Sequence, residues 1–256
     1  MPATMDEGAD PLEPALETIA AAAREGIALR LLGGLAVRYL CPSFPPRTRH
    51  QQDVDLASVS SARRNLARFL SERGFVPDRE FNALYGAKQM YFGSPDRAWA
   101  LDVIIDRLHM CHVLEFRDRI ERMPHTLDLT DLLLSKLQIV EVNEKDLQDA
   151  LYLLAAFPVR ESDEPGTIDP VRLCEVVGED WGWWRTVTGN LERIAALGPD
   201  DRERLVPPHA RFDPIEQARS LHRLADEAPK SLRWRLRAVV GERLRWYNVP
   251  EEVAHR

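Results

Sequence analysis

Cysteine is scarce in this chain of 256 residues. There are three, Cys41, Cys111 and Cys174, far apart and with no C-x-x-C spacing. An odd, scattered set argues against a disulfide framework and against a zinc ribbon. His109-Met110-Cys111-His112 gathers ligand-type residues, but no second cluster completes a four-ligand zinc site. No apolar run approaches the roughly 20 residues that span a bilayer, so no membrane partner is expected. Met1 to Asp10 is acidic and polar rather than leader-like, which leaves a cytoplasmic protein as the expectation. Basic charge is in deficit: 34 Lys and Arg face 41 Asp and Glu, a net charge of −7. Neither half of the chain is a basic nucleic-acid-binding domain. Internal repeats and low-complexity tracts are absent.

What remains is an ordinary globular composition, 45% hydrophobic and 29% charged, enough for a sizeable core. Residues 14–25 suit a helix closed by Gly26. ALRLL (28–32) suits a buried strand, Gly33-Gly34 a sharp turn, and 35–40 the start of a helix. Residues 41–52 are Pro-rich and polar, a loop. DVDLA (53–57) alternates like a strand. A helix capped by Ser60 or Ser61 follows and ends before Gly74. Residues 75–93 carry β-type residues split by turn signals, which predicts a hairpin. AWALDVIID (98–106) predicts a further strand bearing acids. From there the period becomes helical, over 129–142 and 144–157. The acidic stretch 161–170, with Pro165, Gly166 and Pro170, is the expected linker. The reading is therefore α+β: a small mixed β-sheet domain flanked by helices over 1–160, then a helical C-terminal domain over 161–256.

The chemistry-bearing residues come in a fixed order. A strand ends in Gly33-Gly34, Asp53-x-Asp55 follows on a strand, and Asp102 lies on a later one. Residues i and i+2 of a strand face the same side, roughly 6.6 Å apart, so Asp53 and Asp55 present paired carboxylates. Asp102, or its rival Asp106 at the same parity, would bring a third from another strand. Clustered carboxylates raise one another's pKa, and a divalent cation removes that cost. Oxygen donors suit Mg²⁺ or Mn²⁺. Glycine admits close approach of a phosphate, and the helix start behind it offers free N–H groups to an anion.

L-L-G-G-L-A-V-R at 31–38, D-V-D-L at 53–56 and L-D-V at 101–103 resemble the nucleotidyltransferase superfamily related to DNA polymerase β. With Lys136 and Lys145-Asp146-Leu147-Gln148-Asp149, the pattern looks most like the AbiEii-type nucleotidyltransferases, which include toxin–antitoxin toxins. The resemblance spans about residues 28–157. It implies that Gly33 and Gly34 hold the phosphates of an NTP, that Asp53, Asp55 and Asp102 bind metal, and that Asp102 also acts as base. It implies Lys136 and Lys145 as charges on the triphosphate, with Asp146 and Asp149 positioning them or touching the nucleotide. Arg49 fits an arginine that relatives often carry four residues before the first metal-binding Asp, whereas Gln51 replaces their Ser or Thr. The acceptor implied is RNA, such as a tRNA end, or a small hydroxylated molecule, and a toxin role implies an antitoxin partner. A non-catalytic binding module on the same fold is the competing class.

Two features have plainer readings beside these. Asn143 and Asp146 suit a helix N-cap, with Leu147, Ala150, Leu151 and Leu154 as that helix's core face. The basic run Lys230, Arg233, Arg235, Arg237, Arg243 and Arg245, against one acid, Glu242, suits either a solvated face or a phosphate contact.

Overall fold

The computed structural model describes residues 10–45, 53–162 and 164–249. The elements run α1 (Leu12–Arg24), β1 (Leu29–Leu31), α2 (Gly33–Leu40), β2 (Asp53–Ser58), α3 (Arg63–Glu72), β3 (Val76–Pro77), α4 (Arg79–Tyr85), β4 (Gln89–Gly93) and β5 (Ala100–Ile105). A hairpin of β6 (Arg107–His109) and β7 (Val113–Glu115) follows. Helices complete the described chain: α5 (Leu129–Leu137), α6 (Glu144–Ala156), α7 (Pro170–Glu179), α8 (Trp181–Ala195), α9 (Pro199–Leu205), α10 (Pro214–Glu227) and α11 (Leu232–Val240). The fold is α+β, with a small mixed sheet flanked by helices and a helical region after it.

The five-stranded sheet has the order β1-β2-β5-β4-β3. β2 and β5 are parallel neighbours and the other pairs are antiparallel. Strand period two divides the residues between faces. Val54, Leu56, Leu101, Val103, Met90 and Phe92 are buried on one face. Asp55, Asp102, Gln89 and Tyr91 stand half-buried on the other. Hydrophobic burial thus fixes the register, and register carries the polar residues to the open face.

The stretch 75–93 is not the simple hairpin expected. β3 and β4 do pair antiparallel, but α4 sits between them. The local chemistry explains it. Asp78 accepts a hydrogen bond from Phe81 N and caps the helix, and Phe81 is buried. Asn82 then ties α4 to β4: its amide donates to Tyr91 O (3.0 Å) and its Oδ1 accepts from Tyr91 N (2.7 Å).

The helix expected over 129–142 stops at Leu137. α8 meets the chain at this end: Asn190 Nδ2 donates to Leu137 O, on the last residue of the helix, and to Ile139 O just past it, both at 2.8 Å. All nine residues of α5 are buried, so it runs through the core rather than along it. Its polar groups must then be paired. Asp131 meets Arg119 (2.8 Å) and Arg172 (3.1 Å), and Thr130 Oγ1 accepts from Asp169 N (2.8 Å). Lys136 is paired too, by α6. One cluster of buried apolar side chains extends from Ala15 to Ala225. Among the described residues, no helix is long and apolar enough to cross a membrane.

Candidate active site

Asp53, Asp55 and Asp102 lie on the same, open face of the sheet. In the parallel register Asp55 lies directly beside Asp102, and Asp53 beside Ala100. Adjacent strands run about 4.8 Å apart, so the Asp55 and Asp102 carboxylates are within reach of one ion. β4 supplies the next row: Tyr91 is the partner of Asp102, and Gln89 pairs with Ile104. Tyr91 Oη donates to Asp53 Oδ1 (3.2 Å). Gln89 Nε2 lies 2.8 Å from each oxygen of Asp102. Neither Gln89 nor Tyr91 was singled out from the sequence. Their signal was a polar parity opposite to Met90 and Phe92, hidden inside the expected hairpin.

Gly33 closes the other side of Asp55. It has φ +67°, and a Cβ placed on it would overlap Asp55 Oδ2. The conformation requires glycine at this turn, and any side chain there would also displace the Asp55 carboxylate. Leu32 N donates to Asp55 O (2.9 Å), holding the turn against β2. Gly34 follows in the first turn of α2 and borders a cleft of about 450 Å³ that also touches Tyr39, Phe44 and Tyr152.

Electrostatics mark Asp55 as the perturbed acid. Burial first, then the neighbouring Asp102 carboxylate, pushes its pKa up to about 7, with Asp53 and Asp146 adding to the rise and Lys136 opposing it. Tyr91 is pushed up to about 12 by burial and by Asp53, so it stays a hydrogen-bond donor at neutral pH.

Lys136, Asp146 and Asp149 form a second cluster between α5 and α6. Lys136 Nζ lies 2.8 Å from Asp146 Oδ1 and 2.9 Å from Asp149 Oδ2. A phosphate approaching Lys136 has to compete with both. Asn143 Oδ1 accepts from Asp146 N (3.0 Å), so the plain N-cap reading also holds at this position. Lys145 is exposed on the first turn of α6. Arg49 lies outside the described residues.

Asp106 is not part of the acid group. It has φ +63° and directly follows β5. Its carboxylate is paired with Arg117 Nε (2.8 Å) and accepts from Ser60 N (3.0 Å), and the Arg117 hydrogen bond holds its pKa down to about 2. His112 lies beside Trp183 and within 2.9 Å of Thr186 Oγ1.

Among the described residues, no three His, Cys, Asp or Glu side chains converge as a ready ligand set for a metal ion. Asp53 and Asp102 are engaged by Tyr91 and Gln89 instead. In kind and in register the donors do fit a hard divalent cation. They are carboxylates, two of them paired across β2 and β5, and the proton affinity of Asp55 is raised by burial first and then by its anionic neighbours.

No family model matches the chain, and no curated protein matches it. Solved structures do. An antigenic nucleotidyltransferase-like protein from Paracoccidioides brasiliensis is similar over 80% of this chain and 95% of its own, at 12% identity and TM-score 0.44. A STING-associated CdnE c-di-GMP synthase from Capnocytophaga granulosa is similar over 84% and 77%, at 13% identity and TM-score 0.29. A tRNA-processing enzyme is similar over 89% of this chain and 50% of its own, at 17% identity and TM-score 0.31. These likenesses are too distant to assign an activity, and the functional reading rests on the residues of the site.

Proposed function

We propose that this chain is a metal-dependent nucleotidyltransferase, moving a nucleoside monophosphate from an NTP to an acceptor hydroxyl and releasing pyrophosphate. The observation that carries the reading is the turn at Gly33 packed onto Asp55, which is paired in register with Asp102. A glycine turn and a pair of carboxylates are built into the same few ångströms.

Asp53 and Asp55 would hold Mg²⁺ or Mn²⁺, with Asp102 as the third donor. Such an ion supplies positive charge to the phosphoryl oxygens and acidifies the acceptor hydroxyl. The chain does the rest. The turn at Gly33-Gly34 and the N–H groups opening α2 hold the triphosphate. Asp102, oriented by Gln89, accepts the proton of the acceptor hydroxyl. The oxygen–α-phosphorus bond forms in line as the bond to pyrophosphate breaks. Lys136 acts here as a fixed charge near Asp55 rather than as a hand on the triphosphate, because Asp146 and Asp149 already engage it.

RNA and a small hydroxylated molecule are both acceptors compatible with this chemistry. A toxin role with an antitoxin partner rests on the sequence resemblance. The test is incubation of the protein with each radiolabelled NTP, Mg²⁺ and total RNA, beside Asp53→Ala. Label transferred by the parent and lost in the variant supports the reading. Equal transfer by both, or no Mg²⁺-dependent NTP binding at all, sinks it.

A further inference from the structure

The sheet orders the site from flank to flank. Gly33 stands on the β1 side of the acids, and Gln89 and Tyr91 on the β4 side. In-line displacement needs acceptor and leaving group on opposite sides of the phosphorus. A triphosphate on the Gly33 flank therefore leaves the β4 flank to the acceptor.

A cleft of about 580 Å³ opens on that flank. Gln89, which holds Asp102, is part of its wall, beside Lys88, Arg107, His109, Arg245 and Tyr247. Three of these, Lys88, Arg107 and Arg245, are cations. Among the described residues, no acidic side chain lines the cleft. Such a concentration stands out in a chain of net charge −7. Arg107 shares an exposed pair with Glu115 at 3.1 Å. Burial together with Lys88 and Arg107 lowers the pKa of His109, a sign of positive potential there.

The cleft is assembled from distant segments. Lys88 leads into β4, and Arg107 and His109 lie on β6. Arg245 and Tyr247 come from the chain after α11. That last segment is pinned: Trp246 Nε1 donates to Thr186 Oγ1 (3.1 Å), and Asn248 N donates to Cys111 O (2.9 Å). The basic run of 230–245 is thus divided. Arg237 closes its own helix by donating to Gly241 O and Leu244 O, whereas Arg245 is delivered to the cleft. Cations with an aromatic ring beside them suit phosphodiester groups and an unpaired base.

We infer that this cleft is the acceptor site and that it takes the phosphodiester backbone of single-stranded RNA, delivering a terminal hydroxyl past Gln89 to Asp102. The inference rests on the nucleotidyl-transfer reading for its direction, but its test does not. The probe is a fluorescein-labelled single-stranded RNA 20-mer of mixed sequence, titrated by anisotropy without NTP at several salt concentrations. Three proteins are compared: the parent, Lys88→Ala/Arg107→Ala/Arg245→Ala, and a charge-matched control, Arg24→Ala/Arg64→Ala/Arg193→Ala, on exposed faces of α1, α3 and α8. Each phosphate contact on a single strand contributes about 0.7 to the slope of log affinity against log salt. The cleft variant is expected to bind at least about tenfold more weakly, with a slope shallower by about 2. The control is expected to bind like the parent.

Equal losses in cleft and control variants overturn the inference, and so does a parent that does not bind the RNA. If the cleft variant does not melt like the parent, Lys88→Glu, at an exposed position before β4, replaces it and must weaken binding with the melt unchanged. Mg²⁺-dependent NTP binding is measured in parallel. A parent that binds NTP but shows no cleft-dependent RNA binding overturns this inference alone. A parent that binds no NTP overturns the nucleotidyltransferase reading.

Discussion

The raised pKa of Asp55 makes a quantitative prediction. Its ordinary value is 3.8, and in the fold it is about 7. Between those values the folded chain holds a proton that the unfolded chain has released. A raised acid therefore contributes stability fully present below about pH 4 and lost as pH rises through 7. The gap corresponds to about 4 kcal/mol at most. Without divalent cation, unfolding free energy should fall between pH 5 and pH 8, and Asp55→Asn should remove most of that fall. Cation binding should displace the same proton. Calorimetric titration with Mg²⁺ in buffers of different ionisation enthalpy should find about 0.9 proton released at pH 6 and about 0.1 at pH 8. The groups facing Asp55 in this balance are Asp102, Lys136, Asp53 and Asp146. A pH slope unchanged in Asp55→Asn, or Mg²⁺ binding that releases no protons at pH 6, would refute the reasoning.

Gly33→Ala should lose turnover and stability together. The left-handed conformation alone costs about 1–2 kcal/mol for a residue with a Cβ, and Asp55 must move as well; a denaturant melt and an NTP assay on one preparation check both. Gln89→Leu removes the amide beside both oxygens of Asp102. It should lower kcat more than it raises KM for NTP, and a KM effect alone would remove Gln89 from the proposed role. Lys136→Met leaves the Asp146 and Asp149 carboxylates without their shared cation, costing about 3–5 kcal/mol. Lys136→Met with Asp149→Leu should recover part of that loss in urea melts, and no recovery would mean that the pairing is not what the lysine contributes.

The sheet and its acids were legible because burial and chemistry use the same period. Val54 and Leu56 point one way, so Asp53 and Asp55 must point the other. Leu101 and Val103 do the same for Asp102. Strand order was not legible. The parallel pairing of β2 with β5 depends on the excursion through α3, β3, α4 and β4, which no local pattern encodes. α4 was missed because its cap at Asp78 and its tie through Asn82 look like turn residues in a β-rich stretch. Asp106 shared its parity with Asp102, and the sequence did not show that Arg117, eleven residues on, takes Asp106 into a salt bridge.

Lys136 shows why a motif fixes residues more firmly than roles. The family resemblance implied Lys136, in LLLSKLQ, as a charge on the triphosphate, with Asp146 and Asp149 positioning it or touching the nucleotide. In the fold, α5 is buried on every side, so any charge within it has to be neutralised at once. Asp146 and Asp149, one helical turn apart on α6, do this together. The pair carries one more negative charge than the lysine cancels, and that cluster faces Asp55 with both signs: Lys136 lowers its pKa and Asp146 raises it. Lys136 lowers that pKa more than Asp146 raises it, yet burial and the nearby Asp102 outweigh the cluster and decide the state of Asp55. Asp55 therefore keeps a raised pKa although a buried lysine stands nearby, because that lysine is shared with Asp146 and Asp149 and opposes burial and Asp102 only in part.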